Sequence, residues 1–193
     1  NNVLKTFSIE NEPVVELVNN REREYIFADL PDIGYSTDID TVMASSYQVK
    51  KQLQQIVKIE QPITNTLLYK RILRIWNLTR VTTRLQVFID NLLEDAYKDP
   101  LSGDTIIYWE DEEKAKDCDF YRINSKRDIL DIPILEVMSA ARYAIEQQIS
   151  MPTEDLKRLT SQLLGFSRKG NNLDMVTCLL YTSPSPRDPK TSR

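Results

Sequence analysis

The sequence predicts a mainly α fold with one small β-hairpin, arranged as tandem winged-helix-like (helix-turn-helix) modules, the second truncated. Three observations predict it: a helix-turn-helix pattern that occurs twice, apolar residues at helical spacing from residue 46 onward, and two short β-rich runs after the third helix. Residues 63–85 read ITNTLLYKRILRIWNLTRVTTRL, and residues 151–173 read MPTEDLKRLTSQLLGFSRKGNNL. A shift of 88 residues aligns them without a gap. Leu68 then falls on Leu156, Trp76 on Leu164, Asn77 on Gly165, Leu78 on Phe166 and Arg80 on Arg168. Asn and Gly tolerate the left-handed conformation that ends a helix, and a hydroxyl and an Arg follow to open the next one. A repeated unit of this kind points to two similar small modules rather than one enzyme core.

The elements follow in order. Residues 1–45 lack sustained periodicity and read as a linker or N-terminal extension, with residues 14–18 as a short strand or helical turn. Pro31, Gly34 and the Asp-rich DIGYSTDID run support a linker. From Ser46, a possible cap, Val49, Leu53, Ile56 and Val57 share one helical face until Pro62. Thr64 suits the N-cap of a second helix ending near Trp76. A third helix is expected from about Thr79 to Tyr97. Residues 105–109 and 120–123, rich in β-branched and aromatic types, read as a hairpin around the polar loop EDEEKAKDCD. Three helices followed by a hairpin is the order of a winged helix. A further helix over residues 134–148, and another over 153–164 capped by Thr153, begin the second module. The expected divisions are 1–45, 46–127, 128–177 and 178–193.

Residues 178–193 read CLLYTSPSPRDPKTSR and resemble a translated transposase-type sequencing adaptor. The resemblance implies that the native reading stops near Thr177, so this tail is set aside and expected to lack packed structure. Asn1 likewise reads as a fragment boundary. The chain has 25 Lys+Arg and 29 Asp+Glu, net charge −4. The tail holds Arg187, Lys190 and Arg193 against Asp188, so the remainder carries −6. That balance opposes a generally basic nucleic-acid coat.

Composition also narrows the chemistry. There is no histidine, which removes His-based acid–base catalysis, His metal ligation and His-containing triads. Cys118 alone remains outside the tail, too few for a disulfide or a zinc site. Gly34, Gly103, Gly165 and Gly170 have no phosphate-loop spacing, and no GK[ST] occurs. No apolar run reaches membrane-spanning length. The expectation is a cytoplasmic fragment with no enzyme activity, cofactor or membrane partner of its own. Trp76, Tyr108 and Trp109 lie in periodic apolar patterns and read as core rather than base-stacking platforms. Cys118 reads as an incidental loop thiol.

Several stretches together resemble one family: IVKIEQPITNTLLYKRILRIWNLTR, TIIYWEDEE, and KRDILDIPILEVMSAARYAIEQQISMPTEDLKRLTSQLLGFSRKGN. It is domain of unknown function 3320, the uncharacterised domain at the C-terminal end of large bacterial superfamily-I helicase-like proteins. The resemblance covers about residues 46–172 and brings no catalytic residues. It implies a parent with an ATPase core, often with a restriction-endonuclease-like module, and makes that core of the same polypeptide an expected partner. The helicase motifs are absent from this chain, so helicase activity would belong to the parent.

One window reverses the acidic balance. From Gln61 to Ile89 there is no acidic residue, and Lys70, Arg71, Arg74, Arg80 and Arg84 lie inside. Lys70, Arg71 and Arg74 fall on one side of the second helix, opposite Leu68, Ile72, Ile75 and Trp76. Arg80, Thr83, Arg84 and Asn91 share the exposed side of the third. Arginines in a helix's first turns oppose its dipole at a few tenths of a kcal/mol each, a cost that hints at use. The expected nucleic-acid-binding set is therefore Lys70, Arg71, Arg74, Arg80, Thr83 and Arg84, for DNA or RNA. The alternative is a protein–protein or intramolecular docking module whose cations are merely solvated, with Asp111, Glu112 and Glu113 repelling phosphate from the tip of the wing. A third reading gives those carboxylates Mg²⁺ and a hidden nuclease, but a solvated loop accounts for them more simply.

Overall fold

A computed structural model describes residues 19–100, 105–123, 127–147 and 152–166. The expected mainly α fold with a small β component is what forms. Helix α2 (Ser46–Glu60) buries Val49, Leu53, Ile56 and Val57 on the side that periodicity selected. Ser46 is its first helical residue and Ser45 precedes it as a cap without a side-chain bond, so the Ser46 cap expectation is off by one. Strand β2 (Ile63–Thr64) leads into α3 (Asn65–Ile75), where the Thr64 hydroxyl accepts from the Leu67 amide and caps the helix as expected. Helix α4 (Thr83–Leu92) comes next, then strands β3 (Tyr97–Lys98) and β4 (Ile107–Trp109). β4 is the central strand, antiparallel to both β2 and β3. The first module therefore runs helix, strand, helix, helix, strand, strand around Leu53, Leu68, Ile72, Ile89 and Tyr108. Trp76, Tyr108 and Trp109 are all buried, as expected of core residues.

Three expectations give way. The predicted hairpin does not form, although both of its strands exist. β4 pairs with β3 and β2, whereas β5 (Tyr121–Ile123) runs parallel to β1 (Glu22–Glu24). The acidic loop therefore does not join two paired strands. That loop folds as the short helix α5 (Glu112–Lys116), capped by the Asp111 carboxylate. The third helix begins at Thr83, not Thr79, because the Thr82 hydroxyl accepts from the Leu85 amide and sets the N-cap there. Finally, the segment read as linker is packed from residue 19 onward. Tyr25 and Ala28 are buried, and α1 (Ile39–Ala44) inserts Val42 into the first core. The readings for residues 14–18 and for the 178–193 tail lie outside the described residues.

Two helices and a turn of the first module recur at the predicted offset. Helix α6 (Ile134–Glu146) begins 88 residues after α2, and α7 (Thr153–Leu163) matches α3 residue for residue under the same shift. The turn after each helix is identical in bonding. The Asn77 amide donates to the Arg74 carbonyl and Leu78 to Leu73; the Gly165 amide donates to Gln162 and Phe166 to Ser161. Asn77 has φ 48° and Gly165 φ 87°, the left-handed geometry that this six-residue cap requires. Two positions differ. Pro152 stands where Thr64 caps the first copy, so Thr153 is the first helical residue and not a cap. Leu156 is only half-buried where Leu68 is fully buried. Residues 167–173 of the repeat lie outside the described residues.

The two cores meet at a buried charge cluster built by Arg122, Arg127 and Glu136. β5, placed by sequence in the first module, packs its Tyr121 with Ile129, Ile132 and Val137 of the second core. On α6, Glu136 is fully buried and accepts from both Arg122 and Arg127; the Arg127 bonds are 2.7 and 3.0 Å. Arg122 also donates to the carbonyls of Glu60 (2.8 Å) and Pro62 (2.6 Å), which close α2. The Tyr25 ring lies 4.1 Å from the Arg127 guanidinium carbon and 4.7 Å from that of Arg122.

Two predictions follow from these contacts. Gly165→Ala forces a Cβ into the left-handed region and should cost about 1 kcal/mol in urea unfolding, whereas Asn77→Gly should be neutral or slightly stabilising. For Glu136, burial favours the neutral acid, but Arg122 and Arg127 outweigh it and hold the carboxyl below its ordinary pKa. A depressed folded pKa gives stability that is complete above the usual carboxylate range and is lost as pH falls through the folded value. Glu136→Gln should therefore cost about 3–5 kcal/mol near neutral pH, with a smaller penalty in acid, read from urea midpoints between about pH 7 and about pH 3.

Candidate nucleic-acid interface

The six expected residues divide into two groups. Lys70 and Arg71 on α3 face carboxylates from elsewhere in the chain. The Lys70 ammonium lies 2.6 Å from Asp131, which is buried, and 3.3 Å from Asp128. Burial disfavours the charged amine, but hydrogen bonds and attraction from Asp131 and Asp128 outweigh it and raise its pKa above the ordinary value. Arg71 pairs with fully buried Glu60 at 2.9 Å and donates to the Ala28 carbonyl. Glu60 also accepts from the Tyr25 hydroxyl at 2.6 Å and the Ala28 amide at 3.0 Å. Absence of acid in the local sequence therefore did not mean absence of acid in space. Both cations are matched by carboxylates within the chain; Lys70 remains exposed, whereas Arg71 is largely covered.

Like Lys70, the other four are exposed. Arg74 projects from the last turn of α3 and Arg80 from the turn before α4; neither makes an ion pair among the described residues. Thr83 and Arg84 open α4. Since the helix starts at Thr83, the dipole argument applies to Arg84 and not to Arg80. Arg84 lies 2.8 Å from Asp40 of α1, and both side chains are largely in solvent, 57% and 75% exposed. Val87 and Asn91 are exposed too. At 100° per residue, Thr83, Val87, Asn91 and Arg84 fall within an arc of about 100°. Sequence reasoning passed over Val87, although its helical spacing from Thr83 and Asn91 would have found it.

The inner side of α4 is fixed by Leu85 and Ile89 in the core and by Asp90. The Asp90 carboxylate accepts from the Tyr69 hydroxyl at 2.7 and 2.8 Å and from Tyr108 at 3.3 Å. Burial, then Asp90 itself, push both tyrosine pKa values well above normal, so both hydroxyls stay protonated as donors. The one carboxylate between Thr83 and Asn91 is thereby directed inward.

Other groups considered from sequence have local roles. Asp111 caps α5 by accepting from the Lys114 amide at 2.9 Å, and Glu112 pairs with Lys116 at 3.1 Å. Burial pushes the Cys118 thiol up to about 12. Among the described residues no group of three or more His, Cys, Asp or Glu side chains could hold a metal ion, and no helix is long and apolar enough to cross a membrane. A cavity lined in part by Lys50, Lys58, Trp109 and Glu110 lies between α2, the end of α4 and β4, and none of the six expected residues borders it.

Residues 44–87 match the model of a family described as protein of unknown function (DUF3320). The match runs from the end of α1 through α2, β2 and α3 to the middle of α4. It is narrower than the span of 46–172 over which the sequence resembles that family. No curated protein and no solved structure matches the chain.

The division of the cations has a measurable consequence. Arg71→Ala would leave a buried carboxylate without its ionic partner and should cost about 3 kcal/mol or more in urea unfolding. Arg74→Ala and Arg80→Ala, both on the solvent side, should stay within about 0.5 kcal/mol of the parent chain.

Proposed function

We propose that this chain is a non-catalytic accessory domain of a helicase-like protein, working in the cytoplasm, and that α4 of its first module docks on duplex nucleic acid. The order of elements, with β4 between β2 and β3, is that of a winged helix, and α4 stands where such a module carries its recognition helix. The observation that carries the reading is the exposed face of α4. It offers a hydroxyl, a guanidinium, an apolar methyl pair and an amide from Thr83, Arg84, Val87 and Asn91, and the Asp90 carboxylate of the same helix is held by Tyr69 and Tyr108. Arg and hydroxyl groups suit phosphate oxygens and base edges, Asn suits adenine, and Val suits a thymine methyl. Arg74 in the last turn of α3 and Arg80 just before α4 add exposed positive charge. DNA is favoured over RNA because a helix fits the major groove of B-form duplex, whereas that of A-form is too deep and narrow. The domain would position strands for an ATPase core of the parent and would need no cofactor.

A second reading, a docking module that never touches nucleic acid, draws support from Lys70 and Arg71, whose charges are already matched within the chain. Titration of labelled duplex DNA and duplex RNA at low and moderate salt separates the two. The first reading expects weak, salt-sensitive binding to DNA, with a dissociation constant on the order of 10⁻⁴–10⁻⁶ M. Replacing Arg80 and Arg84 together by Glu should abolish it with the melting temperature unchanged. No binding at low salt, or unchanged binding by the double variant, leaves docking as the better account.

A further inference from the structure

Residues 25–49 contain Asp29, Asp32, Asp38 and Asp40 and neither Lys nor Arg. This all-acidic stretch is anchored across the helix-turn-helix. It starts on Glu60 through the Tyr25 hydroxyl and the Ala28 amide. The Ile33 amide then donates to the Ile75 carbonyl at 3.0 Å, and the Thr37 hydroxyl donates to the Trp76 carbonyl. Those carbonyls end α3, where the helix supplies no partners of its own. Leu30, Ile33 and Ile39 pack on the first core, and Val42 is buried in it. The stretch thus passes over the turn between α3 and α4 and arrives at the tip of α4, where Asp40 meets Arg84 at 2.8 Å.

We infer that residues 28–40 form an acidic strap whose Asp40 carboxylate occupies the place of a phosphate on Arg84, so that the chain restrains its own nucleic-acid contact. The inference rests on the reading of α4 given above. A carboxylate oxygen in ion-pair contact with a guanidinium meets the same positive charge that a phosphodiester oxygen would. The apolar anchors keep that carboxylate at high local concentration, so a phosphate must displace it before Arg84 can be used. Both partners are solvent-exposed, so the restraint is modest: it weakens binding without preventing it.

The test compares Asp40→Asn with Glu113→Gln, which removes the same unit of charge from an exposed residue of α5. Each is titrated with labelled duplex DNA across a salt series, alone and combined with Arg84→Gln. Asp40→Asn should tighten binding about three- to fivefold and steepen the slope of log affinity against log salt by about 0.9, the signature of one more phosphate contact. Glu113→Gln should do neither, and the gain from Asp40→Asn should vanish in the Arg84→Gln background. Equal gains from both acid-to-amide variants, or a gain that survives loss of Arg84, would overturn the strap while the wild-type affinity upheld the α4 reading. If neither wild type nor Asp40→Asn binds at low salt, the α4 reading fails and the strap fails with it.

Discussion

Glu136 holds two guanidiniums in a region from which water is excluded. Moving one carboxylate and two arginines out of solvent costs several kcal/mol per ion, returned only when every lone pair and proton finds a partner. The packing arranges for most of that. Arg122 bonds the carbonyls at the end of α2, Arg127 bonds the Arg122 carbonyl, and the Tyr25 ring lies against both side chains. The cluster therefore gives uniqueness of arrangement more than raw stability. It lets β5, α6, the end of α2 and the N-terminal segment meet in only one way. Through the Glu60 and Pro62 carbonyls the junction reaches the end of α2 and the residue before β2.

How far the amino-acid pattern reveals this fold depends on the range of the interaction involved. The Thr64 cap, the side of α2 and α3 that is buried, and the left-handed residues at Asn77 and Gly165 are decided within a few positions of chain, and the pattern disclosed them. Strand pairing is decided over longer distances. β-branched and aromatic composition located β4 and β5, but nothing in either run states that one pairs with β2 and the other with residues 22–24. The N-terminal segment was missed for a related reason: it is tied down by Glu60 and by the carbonyls of Ile75 and Trp76, not by an amphipathic period of its own. The basic window misled in the same way. Asp131 and Asp40 are remote in sequence from Lys70 and Arg84, and Glu60 lies just outside the window, eleven residues before Arg71, yet each is within ion-pair distance.

Adjacent cations on one helix thus take different parts. Lys70 and Arg71 bring α3 against the second module and the N-terminal segment, while Arg74, one turn on, stays in water. The second copy of the motif keeps the cap but not this charge pattern. The positions matching Lys70, Arg71 and Arg74 hold Arg158, Leu159 and Gln162, and Arg158 pairs with Asp155 on its own helix. The backbone device that ends the helix has been retained, whereas the side chains on its outer surface have diverged. The two copies thus share a helix and its terminating turn but present different charges.

The parallel pairing of β1 with β5 bears on what counts as an independent piece of this protein. The 44–87 segment that matches the family model includes Glu60 but excludes Tyr25 and Ala28, and it stops inside α4 before Asp90 can meet Tyr69. Cutting before Ser46 would also remove β1, the strand β5 pairs with, and expose a row of backbone donors and acceptors beside the apolar side chains of Tyr121 and Ile123. An uncovered edge of that kind is a template for pairing with other chains. The family match is thus smaller than the packed unit, since it leaves out the Tyr25 and Ala28 bonds to Glu60 and the Tyr69 bonds to Asp90.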